Sequence, residues 1–150
     1  MTLPCTPIVR APGAGDHHPG PASHTIKLAA RHTNGQLSVE EFTCPPHFTG
    51  PPPHVHHGHD ETFIVVSGSL EFNIDGKSHT APAGTLAYAP RETAHAFTNP
   101  HDEPATVIGI YTPAGYEDYF ADLAAAMNDG TLNPDSLATI LKRYNTDIAT

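Results

Sequence analysis

The chain predicts a mainly β fold, a closed barrel or double-sheet jelly roll, with two α-helices at its C-terminal end. Three observations carry that reading. Short runs rich in Val, Ile, Thr, Phe and Tyr recur from residue 25 to residue 111. Turn dipeptides and prolines separate those runs at close intervals. Beyond residue 115 the apolar spacing becomes helical.

Residues 1–23 are rich in Pro, Gly and small side chains, and the expectation is a flexible or extended arm. His17 and His18 inside it are read as incidental. A barrel is expected over residues 24–112, with strands at 25–31, 37–43, 61–66, 69–74, 77–81, 84–89, 95–99 and 105–111. Asn34-Gly35, Ser67-Gly68 and Asp75-Gly76 are hairpin dipeptides. Pro45, Pro46, Pro82, Pro90, Pro104 and the run from Pro51 to Pro53 mark strand ends, where a missing N–H does least harm. That many strands at such spacing argue for a barrel or jelly roll. Residues 113–150 form a helical extension. Tyr116, Tyr119, Phe120, Leu123 and Met127 line one helical face. Pro134 sits just inside a second helix start, ahead of Leu137, Ile140, Leu141 and Tyr144. Glu117 and Asp118 offset the dipole of the first helix and are assigned no chemistry.

At 150 residues the chain is read as one domain with a core of its own. Only 15% of residues are charged, the formal net charge is −9, and the seven basic residues are scattered. Nucleic acid and anionic membrane surfaces reward clustered Lys and Arg, so both are excluded as partners. Cys5 and Cys44 make no CxxC and no disulfide framework, and Cys44 reads as a small buried apolar residue. With no secretory signal and no window approaching a membrane span, a cytoplasmic location is expected.

Function concentrates between residues 51 and 68. Four histidines, one aspartate and one glutamate fall within residues 54–61. Imidazole and carboxylate suit divalent transition metals. His54 and His56 share a face if the backbone is extended, because successive side chains alternate, and His57 then faces away. Glu61 heads the following strand, on the face of Phe63 and Val65, and His95 leads a later one.

These residues resemble two motifs of the cupin superfamily. The first, G(X)5HXH(X)3–4E(X)6G, is matched by His54, His56, Glu61 and Gly68, although only three residues separate Gly50 from His54. The second, G(X)5PXG(X)2H(X)3N, is matched by Gly84, Pro90, His95 and Asn99, with Glu92 in place of the middle glycine. The resemblance covers residues 37–111 and implies a double-stranded β-helix that binds one divalent transition metal per chain (Fe, Mn, Co, Ni, Cu or Zn) through His54, His56, Glu61 and His95. His57, His59 and Asp60 stay outside the ligand set. It also implies a homodimer.

Within cupins, PPPHVHHGHDETFIVVSGSLEF at 51–72, YAPRETAHAFTN at 88–99 and YEDYF at 116–120 together resemble small bacterial quercetin 2,3-dioxygenase-like proteins. The implied reaction is dioxygenase opening of an enolisable hydroxy-ketone, with dioxygen as co-substrate and Glu61 as both ligand and base. Phe63, Phe72, Tyr88 and Phe97 are candidates to line a flat apolar cavity, with core packing the commoner role for each. Two other classes stay open, since one fold hosts many chemistries: a non-oxidative cyclase, isomerase or lyase, and a non-catalytic ligand-binding protein.

Overall fold

The structure, a computed structural model, describes residues 4–150. Eleven strands and three helices are present among the described residues. The strands are β1 (Asp16–His18), β2 (Ser23–Leu28), β3 (Ser38–Cys44), β4 (His54–His56), β5 (Asp60–Ser67), β6 (Ser69–Ile74), β7 (Lys77–Pro82), β8 (Leu86–Ala89), β9 (His95–Thr98), β10 (Ala105–Thr112) and β11 (Thr146–Ile148). The helices are α1 (Ala30–Thr33), α2 (Glu117–Asn128) and α3 (Pro134–Arg143). No helix is long and apolar enough to cross a membrane.

The strands form two antiparallel sheets, ordered β1-β2-β3-β10-β5-β8 and β11-β4-β9-β6-β7. Alternation creates the inner faces: β3 and β10 switch strictly between buried and half-buried positions. Phe42, Phe63, Val65, Leu70, Phe72 and Val107 meet in the main core between the sheets. Each such side chain contributes about 1.5–3 kcal/mol on burial. A second cluster, Ile26, Ala29, Tyr111, Tyr116 and Phe120, fastens α2 to the first sheet.

Three elements have only weak local signals. β4 is a three-residue strand emerging from the proline run, α1 is a single turn, and β11 follows the last helix. β11 matters for the site because it pairs with β4, Thr146 opposite His56 and Ile148 opposite His54. Of the segment read as an arm, residues 1–3 lie outside the described residues, while Asp16–His18 pair with β2 as an edge strand. Arg31 holds Asp16 there at 2.6 Å.

Gly50 shows why the proline run lies where it does. Its φ is +72°, and a Cβ there would stand 1.7 Å from the carbonyl oxygen of Phe97. Only glycine lets the segment before β4 pass this close to β9. Further on, Asn133 caps α3 by accepting from the backbone N–H groups of Asp135 and Ser136, and Pro134 occupies the first turn. Glu117 does more than face a dipole. Its carboxylate is buried and accepts from the backbone N–H groups of Ala30 and Gly115, both at 2.6 Å.

Candidate metal centre

The two sheets bring His54, His56, Glu61 and His95 together. β4 presents His54 and His56 inward with Val55 between them on the other face, and His54 stands opposite His95 of β9. Glu61 arrives from the other sheet, at the head of β5. All four side chains are buried, and one potential ligand atom from each lies within 4.8 Å of every other.

The outer ring nitrogens of the three histidines are engaged by groups outside the cluster. His54 Nδ1 lies 2.9 Å from the Pro52 carbonyl, His95 Nδ1 3.0 Å from the Thr93 carbonyl, and His56 Nδ1 2.7 Å from the Thr146 hydroxyl. A carbonyl only accepts, so His54 and His95 donate Nδ1–H outward; His54 turns its Nε2 lone pair to the centre, and His95 Nε2 points there to the Glu61 carboxylate. Glu61 lies 3.0 Å from His56 Nε2, 3.2 Å from His59 Nε2 and 2.8 Å from His95 Nε2.

Electrostatics prepare the same set. Burial pushes His54 down to about 4 and also lowers His56. For His95 burial acts downward too, but its hydrogen bond to Glu61 outweighs burial and leaves it raised. Burial acts to raise Glu61, yet hydrogen bonds to His56, His59 and His95 outweigh it and hold the carboxyl well below its usual range. The result is a charged carboxylate beside two imidazoles, His54 and His56, that burial keeps neutral. One buried donor-set atom remains without an aligned hydrogen bond: His56 Nε2, whose approach to Glu61 is close but not well directed. An orphaned imidazole nitrogen aimed at two imidazoles and a carboxylate fits a divalent transition metal.

The neighbours sort differently. His57 points outward, with Nδ1 2.8 Å from Glu92 and Nε2 2.9 Å from Asp147, and those carboxylates raise its pKa. Asp60 accepts from the backbone and guanidinium of Arg91, which lowers its pKa. His59 is buried and reaches Glu61 without joining the four-atom cluster. Glu92 takes a φ of +68° where the motif has glycine, and its N–H donates to the His56 carbonyl at 2.8 Å. The turn keeps a glycine-like backbone although the side chain differs.

A cavity of about 230 Å³ opens over the cluster, with His54 and Glu61 on its wall. Phe63 and Phe97 line it as expected, joined by Tyr116, Phe120 and Leu141 from the helical extension. The other two candidates do not line it. Phe72 faces inward but packs in the core against Phe63 and Phe97, as core packing predicts, while the expectation for Tyr88 is corrected: β8 turns it to the outer face with 52% of its surface exposed. No Arg or Lys among the described residues lines the cavity.

This is the cupin fold, and residues 40–111 match the family model described as Cupin domain. A protein of Aquifex aeolicus (strain VF5) described as uncharacterized is 31% identical over 62 residues, 41% of this chain and 50% of its own length. The chain thus spans about half the length of that curated relative. Among solved structures, KdgF from Halomonas sp. superposes with a TM-score of 0.58 at 20% identity, over 65% of this chain and 84% of its own. A sugar phosphate isomerase of the cupin superfamily from Silicibacter pomeroyi gives 0.53 at 25% identity, over 61% of this chain and 59% of its own. A predicted oxalate decarboxylase from Thermotoga maritima gives 0.59 at 16% identity, over 66% and 86%. Such diverse neighbours support the fold and do not single out one reaction; the candidate metal site rests on this chain's own buried cluster.

Proposed function

We propose that this chain is a metal-dependent dioxygenase acting on a small enolisable or aromatic hydroxy-ketone. One observation carries the reading: the buried cluster of three histidines and Glu61 meets a largely apolar, aromatic-walled cavity without Arg or Lys. A phosphate or a second carboxylate on the substrate calls for a cationic partner. The cavity therefore disfavours the sugar phosphates and oxalate named for two of the relatives above. Its volume lies below the roughly 300–1,000 Å³ usual for drug-sized ligands, which points to one or two rings.

His54, His56, Glu61 and His95 would hold the ion, whose identity the donor set leaves open among Fe, Mn, Co, Ni, Cu and Zn. A bound metal would polarise the substrate's hydroxyl and carbonyl oxygens and support the reaction with dioxygen. Glu61, held ionised, accepts the hydroxyl proton. The aromatic walls orient a flat ring and exclude water.

Oxygen uptake tests the proposal. Metal-free protein is reloaded separately with each of the six ions and offered small hydroxy-ketones and flavonols. Uptake with at least one ion, lost in Glu61→Ala and His95→Ala, is the expected result. Full loading without uptake on any substrate sinks the dioxygenase reading. A non-oxidative isomerase, lyase or cyclase is the second reading, favoured by a further proton-handling group in the same cavity (His24 with Glu40 and Tyr111); turnover without oxygen would select it. We also propose a homodimer, since edge strand β8 leaves Leu86 and Tyr88 exposed. A monomeric mass by light scattering at micromolar concentration would overturn that.

A further inference from the structure

Away from the metal cluster the cavity wall carries a second set of polar side chains. Glu40 of β3 is 1% exposed, an unusual place for a carboxylate unless its oxygens are partnered. Both are. The Tyr111 hydroxyl of β10 donates to Oε1, and His24 Nδ1 of β2 lies 2.7 Å from Oε2. Gly109 makes this arrangement possible. It is the cross-strand partner of Glu40, and a Cβ there would stand 3.2 Å from Glu40 Cγ and 3.3 Å from both Oε1 and the Tyr111 hydroxyl oxygen. A side chain at 109 would press on both partners.

The His24 ring is held on two sides. It stacks on Phe120 at 4.1 Å between centroids and lies 5.5 Å from Phe42. Its Nδ1–H goes to the carboxylate, so the neutral ring presents an Nε2 lone pair. That nitrogen finds no hydrogen-bond partner among the described residues, and the ring lines the cavity with 15% of its side chain exposed. A carboxylate behind an imidazole fixes its tautomer and stabilises the imidazolium that forms on proton uptake.

We infer that His24 Nε2 is a second acid–base subsite of the cavity, which takes the proton of a phenolic or enolic hydroxyl on the ligand. The O–H bond breaks with its electron pair left on oxygen, the proton moves to Nε2, and Glu40 holds the resulting imidazolium until the proton returns to product. Strands β2 and β5 are three strand spacings apart in the sheet, about 14 Å between backbones. His24 and Glu61 therefore act on different parts of one ligand, a one- or two-ring compound with oxygens at both ends. This inference rests on the proposed reading of the cavity as a site for a phenolic or enolic ligand.

The test uses the full chain and 4-nitrophenol, whose acidity is close to that of imidazole and whose anion absorbs visible light. Zinc serves as a redox-silent ion. In mildly acid buffer, the wild type should develop the bound-anion band with zinc loaded and also with the metal stripped. His24→Gln should lower that band at least tenfold while still holding one zinc per chain. A band that vanishes with the metal but survives in His24→Gln overturns the inference and leaves the metal-centre reading standing. No bound phenol in any form overturns both. A measurement that needs no variant is the long-range ¹H–¹⁵N spectrum of the wild type. His24 should appear there as the Nδ1–H tautomer, and an Nε2–H tautomer would overturn the proposal.

Discussion

Glu61 and Glu40 make an instructive pair. Both are buried, both stand on the inner face of the six-stranded sheet, and both line the same cavity. Their partners differ. Glu61 lies against three imidazole nitrogens, and the ring nitrogens of His54, His56 and His95 facing away from the centre are engaged by Pro52, Thr146 and Thr93. Glu40 has one imidazole and one phenol. The same residue type in the same sheet is suited to ligate a metal in one setting and to orient an imidazole in the other. What separates them is the number of lone pairs that converge on a common point.

Metal content should divide the two most sharply. Glu61→Ala is expected to reduce bound metal from about one ion per chain to almost none, whereas Glu40→Gln should leave it near one. Elemental analysis after dialysis decides this, and equal loss in both variants would erase the distinction.

Acid should separate them next, in the metal-free protein. His54 and His56 are held neutral by burial, His54 at about 4 against an ordinary 6.5. Below 6.5 the unfolded chain therefore binds more protons than the folded one, and stability falls as pH drops toward 4. His54 alone accounts for about 3 kcal/mol of that loss. Glu61, lowered in the fold, adds to it as pH falls below the unfolded carboxylate range. His95 is raised and works the other way, its contribution present below 6.5 and lost as pH rises through its folded value. Urea midpoints measured across this window should decline toward acid, and the decline should persist in Glu40→Gln. A flat profile would contradict the burial of neutral imidazoles.

Tyr111→Phe is the smallest expected change. It leaves one oxygen of a buried carboxylate without its phenol and should cost about 1–3 kcal/mol of stability. Metal content should not move. A loss of metal on this substitution would mean that the two glutamates share one network.

The four residues of the candidate metal cluster were legible because their signal is local. His54 and His56 need only alternation on an extended backbone, and Glu61 heads a run whose period of two is plain. His95 came through its match to the second motif. The cupin resemblance left His59 outside the ligand set, and the four-atom cluster also omits it; its burial against Glu61 depends on how the loop after β4 folds back. Thr146 is 90 residues from His56, and nothing near it in the chain marks it as a hydrogen-bond partner. The inward position of Glu40 on β3, between Ser38 and Phe42, was the one sequence signal for the second polar group. A charged residue on a buried face asks for a partner, but alternation does not say which one.

The amino-acid sequence by itself determined the strand-and-turn plan, the two closing helices and the set of side chains suited to a metal, because period, turn chemistry and ligand type are properties of neighbouring residues. Only the tertiary structure decided that β11 supports β4, that helix α2 walls the cavity, and that Gly109 lets Tyr111 reach Glu40. Those are contacts between segments far apart in the chain, set by sheet order and by the space left between layers, and no local pattern encodes either.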